Sequence, residues 1–397
     1  MRGLNSASGR IVGARLRVLR APVDDGIAMS FAPMAERATI LVEVETADGL
    51  VGRGESWVNF PPWAFLERVA TLRDGVFPLV LGEDADAITA LHSRLVSALE
   101  PLGRQWGAPG PVMQAISGVD IALWDRRGLA MGRSVAELAG RRVRETVPAY
   151  ASSLGPADVG SQAAHCRELG FGALKVKVGF GRQRDEDNLR QARDAAGPDM
   201  AIFADANQAW SVDEAVAMAP VLWACGVAWL EEPVRGNRVA DLEALHAATG
   251  LVIATGENVY GREAFRKYVA SPAVAIVQPD VTKAGGLTEA LAVAEMAQAH
   301  GKAVAPHLYG GAIGLLATLQ LCAAMPAVTV LEYDVRSNPL RDALLASPPR
   351  LTGGRMAIPQ GAGLGLALDE AAVAAVTRQA EGLRGAPTTP PPRSSHP

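Results

Sequence analysis

Three acidic residues stand at equal intervals in this chain. Asp205 lies in Asp205-Ala206-Asn207, Glu231 in Glu231-Glu232-Pro233 and Glu257 in Gly256-Glu257-Asn258, so both intervals are 26 residues. Each acid closes a short apolar run rich in β-branched or aromatic residues. Carboxylates brought together in a partly dry site repel one another unless a cation neutralises them. A hard divalent ion, above all Mg²⁺, accepts three such ligands and keeps positions open for substrate oxygens. A second cluster is Lys175-Val176-Lys177. Side chains two apart share one face of a strand, so if Leu174, Val176 and Val178 face surrounding helices, both lysines face inward. Each ammonium is then expected to lower the other's pKa, and a lysine that sheds its proton near neutral pH can serve as a general base. Asp280 and His307 close two further runs. A carboxylate on one imidazole nitrogen fixes the tautomer and raises the basicity of the other nitrogen. Glu332 belongs to the last such run.

These residues need a scaffold that delivers strand ends to one place. From about residue 146 the chain alternates short strand-like runs with Ala-rich helical stretches. The runs are 147–153, 173–179, 201–207, 227–233, 251–257, 274–280, 302–307 and 328–334. Eight alternations imply parallel strands with right-handed crossovers, closed into a barrel whose reactive residues sit at the C-terminal strand ends. An open sheet with a nucleotide in its crevice would want a glycine-rich turn after the first strand. None follows Ala151-Ser152-Ser153. The first 145 residues differ. Strands are expected at 11–20, 39–46 and 51–55, the last two joined by the Asp48-Gly49 hairpin signal, and helices at 64–74, 85–99 and 112–128. The segment 351–368 again reads as strand and is expected to pack back on this first unit. The division is therefore a capping domain over 1–145, a barrel over 146–345, a return over 346–385 and a Pro-rich, disordered tail over 386–397.

Composition narrows the partners. The 397 residues carry 38 Lys and Arg against 42 Asp and Glu, a net charge of −4, and 49% are hydrophobic. Such a chain buries a large core and has no electrostatic attraction to nucleic acid or to an anionic membrane surface. The apolar stretch 311–331 is interrupted by Pro326, Thr318 and Gln320, which favours a buried helix and strand over a membrane span. The N-terminal arginines up to Arg20 precede any acid, as in an organellar presequence, but Arg15-Leu16-Arg17-Val18 alternates like a strand. Three scattered cysteines form neither a disulfide framework nor a zinc cage, so a cytoplasmic location is expected.

The constellation resembles the mandelate racemase subgroup of the enolase superfamily. The likeness extends over nearly the whole chain, from the first strands to Gly363-Leu364-Gly365. It implies a modified TIM barrel, (β/α)7β, with an N-terminal α+β capping domain completed by the C-terminal segment. It also implies one Mg²⁺ per active site on Asp205, Glu231 and Glu257. Lys177 is similar to the base on one face of the substrate, and Lys175 to the lysine that tunes it and touches the substrate carboxylate. His307 resembles the acid or base on the opposite face, Asp280 its partner, and Glu332 the acid that hydrogen-bonds the developing enediolate. The muconate-lactonizing and dipeptide-epimerase types instead carry a lysine where this chain has Asp280, and lack His307.

The implied chemistry is removal of the proton next to a carboxylate on a small-molecule substrate. A β-hydroxyl as leaving group would make the protein an acid sugar dehydratase yielding a 2-keto-3-deoxy acid. Without one it would be a racemase or epimerase of an α-hydroxy acid, and a noncatalytic binding protein that keeps the metal site is the third reading. A homo-oligomer is expected from the resemblance. Specificity is expected from the capping domain, through 23–33 with Met29 and Phe31 and through 55–63 with Trp57, and from Asn207 and Tyr309 at the barrel mouth. Arg53 and Asn59 are candidates to meet a polyol.

Overall fold

The structure, a computed structural model, describes residues 8–23, 28–29, 32–61, 63–140, 142–365 and 367–385. Phe31 and the tail 386–397 lie outside the described residues. The eight runs form strands Thr146–Leu154, Ala173–Lys177, Ala201–Asp205, Val227–Glu231, Ile253–Thr255, Val274–Val277, Ala303–Val304 and Leu331–Asp334, here called barrel strands one to eight. Neighbours pair in parallel from the first to the seventh. The ring closes because strand eight pairs with strand one and Val328 bridges Val304. Among the described residues seven helices connect the eight strands. Their starts are written locally: Ser211, for example, caps Val212–Ala224 through a reciprocal pair with Glu214.

Strand alternation separates two cores. Leu174, Val176, Ile202, Ala204 and Leu230 face outward and pack beneath the helices. Tyr150, Phe203 and Trp229 face inward and stack into an aromatic floor. Polar side chains at the upper ends of the same strands stand above that floor.

The N-terminal unit is a four-stranded antiparallel sheet in the order Thr377–Arg384, Ile11–Pro22, Glu36–Thr46, Val51–Trp57. Gly49, with φ of 82°, makes the expected hairpin. Helices Ile88–Trp106 and Pro109–Met131 cover one face, and the apolar residues between them form a separate core. Gly52 and Gly54 sit inside a strand. A Cβ at either would overlap a carbonyl of the helix Pro109–Met131, so they serve close strand–helix packing.

The C-terminal return differs from expectation. Leu351–Thr352 and Arg355–Ala357 form a hairpin whose second arm pairs antiparallel with barrel strand one, not with the capping sheet. Gly363 and Leu364 dock against the capping helices, where the Leu364 amide donates to Asp125. The strand that completes the capping sheet is Thr377–Arg384, whose sequence Thr-Arg-Gln-Ala-Glu-Gly-Leu-Arg carries little apolar alternation to betray it. No helix among the described residues is long and apolar enough to cross a membrane, and the three cysteines are free and buried.

Candidate active site

Barrel register sets the first contacts. Lys177, Asp205 and Glu231 are direct partners across strands two, three and four, each the last residue of its strand. Glu257 lies two residues beyond strand five, and Asp280 and His307 each lie three beyond strands six and seven. One carboxylate oxygen from each of Asp205, Glu231 and Glu257 lies within 4.8 Å of the others, and all three residues are buried.

Every member of the triad is held by a basic side chain. Lys175 Nζ donates to Glu231 Oε1 at 2.7 Å and lies 2.8 Å from Glu332 Oε1. Lys177 Nζ donates to Asp205 Oδ2 at 2.5 Å and to Asn207 Oδ1 at 2.9 Å. His307 Nε2 lies 3.0 Å from Glu257 Oε2, while Nδ1 meets Asp280 Oδ2 at 2.7 Å. The imidazole–aspartate pair expected from the sequence is thus formed.

Burial and like charge strain the acids. Burial pushes Glu231 up to about 7 against the pull of Lys175, with Asp205 adding to the rise. Burial and the neighbouring Glu257 push Glu232 up to about 8. Burial also works against the imidazolium of His307, but Glu257, Glu332 and Asp280 outweigh it and raise the ring to about 10.

At the lysine pair the carboxylates outweigh the mutual repulsion expected from the sequence. Burial is the largest influence on Lys177 and lowers it, as does Lys175, yet Asp205, Glu257 and Glu231 together hold the ammonium above its ordinary value. Lys175 is likewise held protonated, by Glu231 and Glu332 against burial. Repulsion between the two lysines is therefore the smaller effect while the carboxylates carry full charge. Glu332 is a further buried acid of the site. Despite burial, Lys175 and His307 draw it down to about 2, and its oxygens accept from Ser152 Oγ at 2.5 Å and the Leu308 amide at 3.0 Å.

A cavity of about 480 Å³ opens above these groups, between barrel mouth and cap. Lys177, Asn207, Glu257, His307, Tyr309, Glu332, Trp57 and Met29 border it, whereas the buried Lys175, Asp205, Glu231 and Asp280 do not. Arg53 and Asn59 do not border it. Arg53 pairs with Glu370 on the outer capping sheet, and Asn59 bridges the Ala38 amide and the Tyr309 carbonyl. The sequence reading missed Lys283, Asn258 and Glu232, which do border the cavity. Lys283 Nζ donates to Asn258 Oδ1 at 3.0 Å and stands over the Trp57 ring. Glu232 faces inward beside Glu231 because its backbone turns left-handed, with φ of 40°, which strand alternation alone does not foretell. The doubled acid Glu231-Glu232 was the available signal.

The parts define a closed β/α barrel whose strand-end acids, lysine pair and histidine converge under a lid-like cap. Residues 13–140 match the mandelate racemase/muconate lactonizing enzyme N-terminal domain, and residues 158–372 match the enolase C-terminal domain-like family. The chain belongs to this family, within the enolase superfamily. It is 32% identical to the D-galactarolactone cycloisomerase of Agrobacterium fabrum, over 92% of this chain and 98% of that protein. It is 31% identical to the arabinonate dehydratase of Saccharolobus solfataricus, over 86% of this chain and 92% of that one. The solved structure of a racemase from Streptomyces coelicolor with bound magnesium superposes with a TM-score of 0.83 at 29% identity, covering 92% of this chain and 99% of that chain.

Proposed function

We propose that this protein removes the proton next to the carboxylate of a small sugar acid and expels the β-hydroxyl, giving a 2-keto-3-deoxy acid. The observation that carries the reading is the meeting, around one cavity, of Lys177, His307 and the triad ligand Glu257, with polar Glu67, Arg68, Gln114 and Asn258 beside aromatic Trp57, Phe60, Trp63, Tyr260 and Tyr309 on its walls. The names of the cycloisomerase and dehydratase relatives support the same substrate class.

One Mg²⁺ fits the triad, since its three buried carboxylates offer hard oxygen donors within 4.8 Å and hold an excess of negative charge. Bound there, the ion would act as a Lewis acid toward the substrate carboxylate and cancel the charge that now keeps Lys177 protonated. Lys177, on one side of the cavity, takes the α-proton. Asn207 orients its ammonium, as the 2.9 Å hydrogen bond indicates. His307, oriented by Asp280 at 2.7 Å, delivers a proton to the departing hydroxyl. Lys175, fixed between Glu231 and Glu332, places positive charge beneath the reacting carboxylate. Glu332 serves by holding Lys175 and the Leu308 backbone.

A second reading rests on a specific feature: two proton-transfer groups border one cavity, the arrangement that racemisation at a carbon next to a carboxylate needs. One screen separates the readings. Full-length protein with Mg²⁺ is incubated with a library of sugar mono- and diacids and assayed for 2-keto acids. Dehydration is expected to give a 2-keto acid from at least one member; epimerised acid with the hydroxyl retained would assign the racemase, and neither product would refute both.

A further inference from the structure

The last capping strand reaches the loops that carry the imidazole and its aspartate. Glu55 is fully buried near the end of Val51–Trp57. Its Oε1 accepts the Gly311 amide at 2.6 Å and its Oε2 accepts the Gly314 amide at 2.9 Å. These amides begin the helix Ala312–Ala324, which follows the His307 loop. The loop is moulded around the carboxylate, since a Cβ on Gly310 would stand 2.6 Å from Glu55 Oε1 and one on Gly314 would stand 3.1 Å from it.

The same strand touches the second loop. The Trp57 amide donates to the Thr282 carbonyl at 3.4 Å. Thr282 in turn gives both its amide and its hydroxyl to Asp280 Oδ1, each at 2.7 Å. Beyond the strand, Asn59 Nδ2 donates to the Tyr309 carbonyl while its Oδ1 accepts the Ala38 amide at 3.0 Å. The loop after His307 and the loop after Asp280 are therefore fastened to one piece of the cap, and the 2.7 Å contact between the two side chains lies between the fastenings.

We propose that Glu55, seconded by Asn59, is a positioning residue for the His307–Asp280 pair, through which the cap sets the imidazole against the substrate. The proposal rests on the reading of His307 as a proton-transfer group. A residue that only joined cap to barrel would lower stability without altering the imidazole. The pair would be disturbed selectively if Glu55 orients it, and a misplacement of about 1 Å costs about 10²-fold in rate.

The test uses full-length protein with ¹⁵N-labelled histidine, His307 being assigned among the six histidines by its absence in His307→Asn. Glu55→Ala is expected to shift or remove the His307 Nδ1–H signal while those of His165, His246 and His300 stay in place. Glu55→Gln, which keeps one acceptor, is expected to fall between. On the sugar acid turned over in the screen, Glu55→Ala is expected to lower kcat about 10²-fold with KM unchanged. If Glu55→Ala does not fold, Asn59→Ala is read in the same way. An unmoved His307 signal in a folded variant overturns the proposal. A screen without turnover would refute the functional reading alone, because the NMR comparison needs no substrate.

Discussion

Glu231 is held at both of its oxygens. Lys175 holds one of its oxygens at 2.7 Å and Gln278 Nε2 holds the other at 2.7 Å, and the residue is wholly buried. These two donors offset part of the cost of burying its charge, while burial still pushes Glu231 up to about 7. Replacing it by glutamine removes the charge while keeping the volume. Loss of even an outer partner of a metal ligand typically costs 10–100-fold in metal affinity. Glu231→Gln is thus expected to weaken Mg²⁺ binding by about 100-fold or more and to abolish metal-dependent turnover, with an unchanged circular dichroism spectrum. Calorimetric titration of Mg²⁺ checks the first part, and equal affinity in the variant would remove Glu231 from the ligand set. Residue-scale chemistry was legible where it depended on spacing: the acids at 205, 231 and 257 stand at successive strand ends. The sign of the lysine shift was not, because it is decided by every charge around Lys177, and Asp205 at 2.5 Å outweighs Lys175.

At the scale of elements, the contact between Val51–Trp57 and Pro109–Met131 is what lets the capping strand reach the barrel loops. Its closeness depends on glycine. A Cβ at Gly54 would overlap the Gly118 carbonyl, and backbone cannot yield as a flexible side chain can. Overpacking of this kind costs about 1–3 kcal/mol, so Gly54→Ala is expected to lower Tm by several degrees in thermal denaturation; an unchanged Tm would show that the helix simply moves away. The barrel strands were legible because each pairs a buried apolar run with a polar end, a local pattern. The partner of the hairpin 351–357, whose strand character was legible, and the strand Thr377–Arg384 were not. Their places are set by open edges of sheets built hundreds of residues earlier, the first on barrel strand one and the second on Ile11–Pro22. Arg53 likewise looked like a ligand group by type alone, and its strand face, toward Glu43 and Glu370, excludes it from the cavity.

At the scale of the whole molecule, a net charge of −4 conceals a concentrated and nearly balanced site. Three acids, two lysines and a His–Asp pair meet where barrel and cap close on a cavity of about 480 Å³. Neither unit supplies the site alone: the barrel carries the reactive groups, while Met29 and Trp57 of the cap complete the walls. The central claim is that this assembly removes a proton next to a carboxylate, whatever follows. Full-length protein with Mg²⁺ in deuterated water, incubated with the sugar acid library and followed by proton NMR, measures that step directly. Deuterium at the carbon next to the carboxylate in recovered acid, or at C3 of a 2-keto-3-deoxy product, is the expected result, and its loss with a chelator is expected to follow. A protein that binds Mg²⁺ yet leaves that carbon–hydrogen bond untouched in every member of the library would contradict the account.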